Sequence, residues 1–170
     1  PIYFWGLWVW RLLFGSSEWS VRFFSMLPGM ALPFAVRWSF NQLFVNRGEF
    51  DARSAARVLG LVAALLAATD PLAVFYSTEA RPYAWLILGS VIHFTSFVGW
   101  LRELRFVPGL TLVLFGLLLF YLHYTFALLA VAEVVAAGLC AAVTPHFITR
   151  WKWHQFVTYA CVIGVSLWPA

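Results

Sequence analysis

The stretch VLGLVAALLAATDPLAVFYSTEARPYAWLILGSVIHFTSFVGWL, residues 58–101, holds two apolar runs that are separated by one short polar turn. Each run approaches or reaches the roughly 20 residues that an α-helix needs to cross the hydrocarbon core of a bilayer. The turn carries a proline, which removes a backbone donor, and then a glutamate and an arginine two positions apart. The stretch therefore predicts two membrane-spanning helices joined at one face of the membrane.

The same pattern of apolar runs and short polar turns continues along the rest of the chain. Of the 170 residues, 63% are hydrophobic and 11% are charged, which is more apolar surface than a soluble domain of this size can bury. We therefore expect a single all-α transmembrane domain over residues 1–170, a polytopic helical bundle of about six spanning helices. The predicted spans are 20–40, 58–76, 83–101, 106–122, 124–143 and 156–168.

The opening run, 1–14, is shorter than a span and rich in tryptophan. Tryptophan is enriched where a membrane meets water, so residues 1–15 are predicted to form an interfacial, juxtamembrane helix that lies along the surface. With that placement, eight of the eleven basic residues fall on the opposite face of the membrane. They are Arg37, Arg47, Arg53, Arg57, Arg102, Arg105, Arg150 and Lys152. The positive-inside rule makes that face cytoplasmic, so the turn at 75–85 faces outward.

The net charge and the cysteines give two further expectations, about nucleic-acid binding and about disulfides. A net charge of +4 can indicate nucleic-acid binding, but here the basic residues lie in short turns, where they orient a membrane protein. No nucleic-acid partner is expected. Cys140 and Cys161 both lie inside apolar segments, where a thiol behaves as a small hydrophobe, so no disulfide is expected.

The polar turn after residue 70 is the first candidate site. Pro71 predicts a kink or an unwound segment, and non-helical backbone at that depth is tolerated only against protein or a water-filled cavity. Tyr76, Glu79, Arg81 and Tyr83 would line such a cavity and bind substrate there. The alternative is that Glu79 and Arg81 are ordinary interfacial charges, with the two tyrosines as members of the aromatic belt.

Two further constellations lie at predicted outer turns. Tyr121, His123 and Tyr124 place phenol and imidazole groups where they could bind a sugar or a phosphate, and the alternative is an aromatic belt with one polar member. Glu18 and Arg22 are four residues apart and are predicted to pair on one helix face, which by itself requires no function.

Two ionisable residues are predicted near the middle of the membrane. His93 lies roughly 15 Å, and Glu133 roughly 14 Å, from the outer end of its segment at about 1.5 Å per residue. An unpaired carboxylate at that depth is costly, so Glu133 is expected to bond to His93 or to stay protonated. The pair could fasten two helices together or serve as a proton relay.

Four motifs of the sequence occur in an order that is similar to that of a known family. They are PIYF, LFGSSEWSVR, YSTEARPYA and LHYT, at 1–4, 13–22, 76–84 and 122–125. This order resembles the polyprenyl-phosphate-sugar-dependent glycosyltransferases of the GT-C superfamily. Within it, the chain resembles the bacterial branch related to protein O-mannosyltransferases and to the lipid A aminoarabinose transferase.

The resemblance implies an inverting glycosyltransferase in the bacterial cytoplasmic (inner) membrane, with its active face on the periplasmic side. The implied partners are a polyprenyl-phosphate-linked sugar donor, a lipid, glycan or protein acceptor, and membrane lipid. Arg81 would hold the donor phosphate or order the outer loop, and Glu79 would orient Arg81 or bind sugar hydroxyls. Tyr76, Tyr83, His123 and Tyr124 would line the donor and acceptor cavity. No cofactor and no metal site are implied, and a divalent cation is left open.

The chain also departs from the family pattern. The carboxylate that acts as general base in the family lies in a loop that would precede Pro1, so we expect an internal fragment of a larger membrane domain that is inactive alone. The catalytic residue is therefore not identified. Asp70 stands where the family commonly has serine, and it could bind a cation or the acceptor or be solvated at the interface.

Two other functions fit the residues. In a transporter or channel, Asp70, Arg81, His93 and Glu133 would mark a proton or anion path, although no inverted repeat is visible. A non-catalytic membrane subunit that binds lipid is the third possibility. No phosphate-cradling loop of the P-loop or Rossmann kind is present in the sequence, as expected for a lipid-borne donor.

Overall fold

The computed structural model describes residues 2–44, 50–103 and 106–143, and every regular element within these ranges is an α-helix. In chain order the helices are α1 (Ile2–Phe14), α2 (Glu18–Leu43), α3 (Phe50–Thr69), α4 (Pro71–Thr78), α5 (Tyr83–Glu103), α6 (Phe106–Leu122) and α7 (Phe126–Val143). The all-α prediction is confirmed, and helices occupy the first five predicted spans and the opening run. The predicted span at 156–168 lies outside the described residues, as does Cys161.

Only some of these helices are long and apolar enough to cross a membrane. Within the described ranges, Tyr83–Leu101 of α5 meets that test, and the bent pair Arg53–Thr69 and Pro71–Thr78 is a second if it counts as one broken span. Ile2–Phe14, Gly109–Leu122 and Phe126–Leu139 are apolar but shorter. A core helix of a soluble protein can meet the same test. The multi-pass bundle therefore stays a prediction.

Contacts between residues divide the chain into two compact units, Pro1–Thr95 and Ser96–Ala170, and the boundary falls within α5. In the second unit α6 packs against α7, and Phe97, Trp100, Leu112 and Ala137 form a buried apolar cluster. The single domain expected over residues 1–170 stays a prediction.

In the first unit, α2 is the central helix. It packs against α1, α3 and α4, and the buried residues Ser25, Pro28 and Leu32 follow one another at helical spacing along one of its faces. Gly29 lies beside Ser77 of α4, so closely that a Cβ atom at position 29 would overlap the Ser77 side chain. The absence of a side chain at Gly29 therefore sets how near α2 and α4 can lie.

The turn between α1 and α2 follows from three small residues. Gly15 has a φ of 80°, which glycine adopts without strain, and its N–H donates to the Arg11 carbonyl at 3.0 Å, so α1 ends there. Ser17 then caps α2, because its hydroxyl accepts a hydrogen bond from the Ser20 N–H at 3.2 Å. The sequence GSS thus ends one helix and begins the next within three residues.

The predicted kink near Pro71 is confirmed. The axes of α3 and α4 are bent by 51° at the break, where Asp70 stands between the two helices. Asp70 is the N-cap of α4, since its Oδ2 accepts a hydrogen bond from the Ala73 N–H at 2.8 Å, and Pro71 occupies the first helical turn. The Asp70 carboxylate therefore has a structural role at this position.

Capping by Asp70 gives a prediction that separates this task from cation binding. Asp70→Ala should destabilise the protein by about 1 kcal/mol, whereas Asp70→Asn should be close to neutral, because asparagine caps helices as well as aspartate does. Thermal unfolding of the purified protein in detergent micelles measures both changes. If Asp70→Asn is as damaging as Asp70→Ala, the negative charge matters and the cap does not account for Asp70.

Candidate functional site

A four-residue loop, 79–82, joins α4 to α5 and carries the glutamate and the arginine of the YSTEARPYA motif. The chain turns tightly there, with the Arg81 N–H donating to the Glu79 carbonyl at 2.8 Å. Pro82 then precedes α5, and its carbonyl accepts from the Leu86 N–H at 2.9 Å in the first turn of that helix. The loop therefore presents Glu79 and Arg81 side by side between two helix ends.

The 79–82 loop forms one wall of an open cavity of about 430 Å³. The residues that line it come from two distant parts of the sequence: Glu18, Val21 and Arg22 from α2, and Glu79, Ala80 and Arg81 from the loop. The volume is within the range of small-molecule binding sites. One site is thus formed by two segments that are distant in the sequence, GSSEWSVR and YSTEARPYA. We call this site the two-arginine cavity.

Arg22 uses all its guanidinium nitrogens within the protein. Nε and Nη2 donate to Oε1 of Glu18 at 3.0 and 2.7 Å, and Nη1 donates to the Thr78 carbonyl at 3.2 Å. The predicted Glu18–Arg22 pair is confirmed. An exposed ion pair of this kind contributes only about 0.5 kcal/mol to stability, so the importance of Arg22 lies in its bond to Thr78.

Arg81 is engaged differently. Its Nε lies 3.2 Å from Oε2 of Glu79, and its side chain is 61% exposed. Within the described part of the chain, no acceptor bonds to its two terminal nitrogens. Because a guanidinium can hold a phosphate through two parallel N–H donors, Arg81 is the arginine of the cavity that can take an anionic ligand without losing a helix contact.

Glu79 is the more enclosed partner of this pair, with a side-chain exposure of 29%. Its Oε2 is buried, and among the described residues no donor forms a hydrogen bond to it with good geometry. A buried carboxylate oxygen without a hydrogen bond is costly, and the Arg81 guanidinium beside Oε2 offsets part of that cost. Because Glu79 lines the cavity and its side chain keeps 29% exposure, its carboxylate is suited to accept from a ligand hydroxyl.

The predicted tyrosines lie next to the loop. The rings of Tyr76, on α4, and Tyr83, at the start of α5, are in contact with a centroid distance of 5.0 Å. Neither Tyr76 nor Tyr83 is among the described residues that line the two-arginine cavity. The two rings instead link the helices on either side of the loop, and their role in binding substrate stays a prediction.

The LHYT turn belongs to the second unit. There the rings of His123 and Tyr124 are stacked at 4.9 Å, and Nδ1 of His123 lies 2.8 Å from the Thr125 hydroxyl and accepts from the Thr125 N–H at 3.3 Å. Tyr121 is 39% exposed on the last turn of α6. The placement of His123 and Tyr124 in a donor cavity stays a prediction.

The two ionisable residues predicted at depth are both buried: His93 is 1% exposed and Glu133 is 3% exposed. His93 belongs to the first unit and Glu133 to the second. Their burial agrees with positions inside packed helices, and their pairing stays a prediction.

Three residues that the sequence analysis did not single out hold the site together. The Ser25 hydroxyl lies 3.1 Å from the Tyr3 hydroxyl and donates to the Arg81 carbonyl at 3.3 Å, and Trp85 donates from Nε1 to the Phe24 carbonyl at 3.2 Å. These bonds connect α1, α2 and the start of α5. The only signal in the sequence was the presence of Tyr3 in the PIYF motif and of Trp85 just after YSTEARPYA.

Comparison of the chain with protein-family models, with curated proteins and with solved structures gave no match. Among residues 2–44, 50–103 and 106–143, no three His, Cys, Asp or Glu side chains are grouped so that they could hold a metal ion.

Proposed function

We propose that this chain is part of a multi-pass membrane glycosyltransferase of the GT-C superfamily. It would move one sugar, with inversion, from a polyprenyl-phosphate donor to an acceptor on the periplasmic side of the bacterial cytoplasmic membrane. The observation that carries the proposal is the two-arginine cavity, in which the two most specific motifs of the resemblance lie together. A site that binds a lipid phosphate and its sugar needs cationic groups beside a side chain that accepts hydrogen bonds from the sugar hydroxyls.

The apolar surface supports the placement in a membrane. On α3 alone, six large apolar side chains are about half exposed or more: Val58, Leu59, Leu61, Val62, Leu65 and Leu66. Soluble monomers rarely expose a continuous apolar patch of this kind. A lipid environment accounts for it directly, and so a span formed by α3 with α4 and a span formed by α5 are both part of the proposal.

Arg81 and Glu79 would have different roles in the proposed reaction. In the proposed reaction the bond between the sugar and the donor phosphate breaks as the acceptor hydroxyl attacks, and negative charge collects on the phosphate that leaves. The terminal nitrogens of Arg81, which bond to no acceptor among the described residues, would stabilise that charge. Glu79 would accept from a sugar hydroxyl, and the donor phosphate would compete with its carboxylate for Arg81. The general base is not assigned to a residue of this chain.

A proton-coupled transporter is the second candidate, and a specific observation favours it. His93 and Glu133 are both titratable and buried, as the groups of a proton path inside a membrane protein are. A transporter would move its substrate unchanged, whereas a transferase consumes a lipid-linked sugar.

The two functions are tested by one experiment on the full-length protein in lipid vesicles. Polyprenyl-phosphate sugars that differ in the sugar are supplied with total membrane glycolipids as acceptors, and the loss of donor and release of polyprenyl phosphate are followed by mass spectrometry. We expect one donor to be consumed. The transferase proposal is contradicted if no donor is consumed while a pH gradient drives uptake of a solute into the same vesicles.

A further inference from the structure

Helix α2 holds the 79–82 loop at both ends. Arg22 bonds to the Thr78 carbonyl, just before the loop, and Ser25 bonds to the Arg81 carbonyl within it. The two α2 residues are three positions apart and so lie on one face of the helix, and the two carbonyls are also three positions apart. One helix face thus fixes both ends of the segment that carries Glu79 and Arg81.

The bond from Arg22 is made to a helix end. Thr78 is the last residue of α4, whose final carbonyls have no partner within the helix and carry the negative end of its dipole. A guanidinium suits that position in charge and in geometry. Glu18 accepts from the other two nitrogens of Arg22 and so fixes the direction in which the third one points.

The bond from Ser25 continues into α1. A serine hydroxyl has one hydrogen, and here it is donated to the Arg81 carbonyl, so the Tyr3 hydroxyl must be the donor in the contact between Tyr3 and Ser25. Burial raises the pKa of the Tyr3 phenol above its ordinary value. The phenol therefore keeps its proton at neutral pH. Ser25 is fully buried, so water does not compete for these bonds.

We propose that Arg22 and Ser25, with Tyr3 behind Ser25, are positioning residues that hold the 79–82 loop so that Glu79 and Arg81 face the cavity. Ser25 and Tyr3 lie outside the cavity lining and would act on a ligand only through the loop. Arg22 is part of the lining, but its three guanidinium nitrogens are all bonded within the protein. What the loop then binds rests on the proposed function, but the restraint itself does not.

The restraint is tested with a nitroxide spin label on Ala80→Cys, the exposed residue between Glu79 and Arg81. The label is attached to the full-length protein in lipid nanodiscs, with all other cysteines, Cys140 and Cys161 included, replaced by alanine. Ser25→Ala and Arg22→Gln should each raise the mobile component of the spectrum by at least about twofold, because each frees one end of the loop.

The matched control is Ser39→Ala. The Ser39 hydroxyl also joins α2 to α5, through Thr95 at 2.6 Å, but it lies on the later half of α2. This variant should leave the Ala80 label unchanged. A second label, on Val58→Cys of α3, should be unchanged in all variants. If Arg22→Gln does not insert into membranes, the spectrum of Ser25→Ala alone tests whether α2 restrains the loop.

Two results would overturn the proposal: an Ala80 label that stays immobile in Ser25→Ala and in Arg22→Gln, or one that Ser39→Ala mobilises equally. The spectra need no substrate, so failure of the proposed function appears separately. In that case the label is mobilised as expected, but the wild-type protein consumes no lipid-linked sugar.

Discussion

Replacing Arg81 by alanine in the full-length protein is expected to lower the rate of the proposed sugar transfer by about 10²–10³-fold, the usual effect of removing one group that stabilises charge in a transition state. Insertion into the membrane should be unchanged, because the Arg81 side chain is 61% exposed and its ion pair within the described ranges is with Glu79. The measurement is the initial rate of polyprenyl phosphate release at saturating donor.

Arg81→Lys and Arg57→Ala are the matched variants for this experiment. Lysine keeps the charge but lacks the paired donors, so it should restore only part of the rate. Arg57 is an exposed arginine on α3 in the same unit, outside the cavity lining, and its loss should leave the rate unchanged. A wild-type rate from Arg81→Ala would remove Arg81 from the phosphate site.

Most of the helices could be predicted from the sequence because the signals are local, although their bounds differ: α3 begins at Phe50, not at residue 58. The length of an apolar run sets a helix of spanning size, and the pair of Asp70 and Pro71 marks a break whatever surrounds it. The pairing of Glu18 with Arg22 likewise depends only on helical spacing. These predictions needed no knowledge of which helices become neighbours. The structure confirms the helices, the break at Pro71 and the Glu18–Arg22 pair, and Tyr83–Leu101 has the length and apolar character of a span.

The contacts that build the site could not be predicted in the same way. The bonds from Arg22 to Thr78 and from Ser25 to Arg81 each join residues 56 positions apart. A single sequence does not show which residues that far apart are in contact. Asp70 was open to several roles for a related reason. From the sequence, Asp70 could bind a cation or the acceptor or be solvated at the interface. Its role as a helix cap is evident only in the structure, where the Ala73 N–H bonds to it.

The largest structural effect is expected at Gly29. Gly29→Val should destabilise the protein by about 1–3 kcal/mol, because a Cβ atom there would lie 2.5 Å from the Ser77 Cβ atom, which can move away only together with its backbone. The fall in Tm should be about 2–4 °C for each kcal/mol, measured by thermal unfolding in detergent micelles. Gly99→Val is the matched control, since a Cβ atom at Gly99 meets no described residue within 4 Å.

The same substitution should also disturb the two-arginine cavity. Moving α4 away from α2 moves the Thr78 carbonyl away from Arg22, since Ser77 and Thr78 are neighbours at the end of α4. Gly29→Val combined with Ser77→Gly should recover part of the lost stability, because the second change removes the side chain that the valine overlaps. If the double variant is no more stable than Gly29→Val alone, contact with Ser77 does not set the distance between α2 and α4. A partial recovery of stability together with recovered transfer would instead tie the geometry of the cavity to this one close approach.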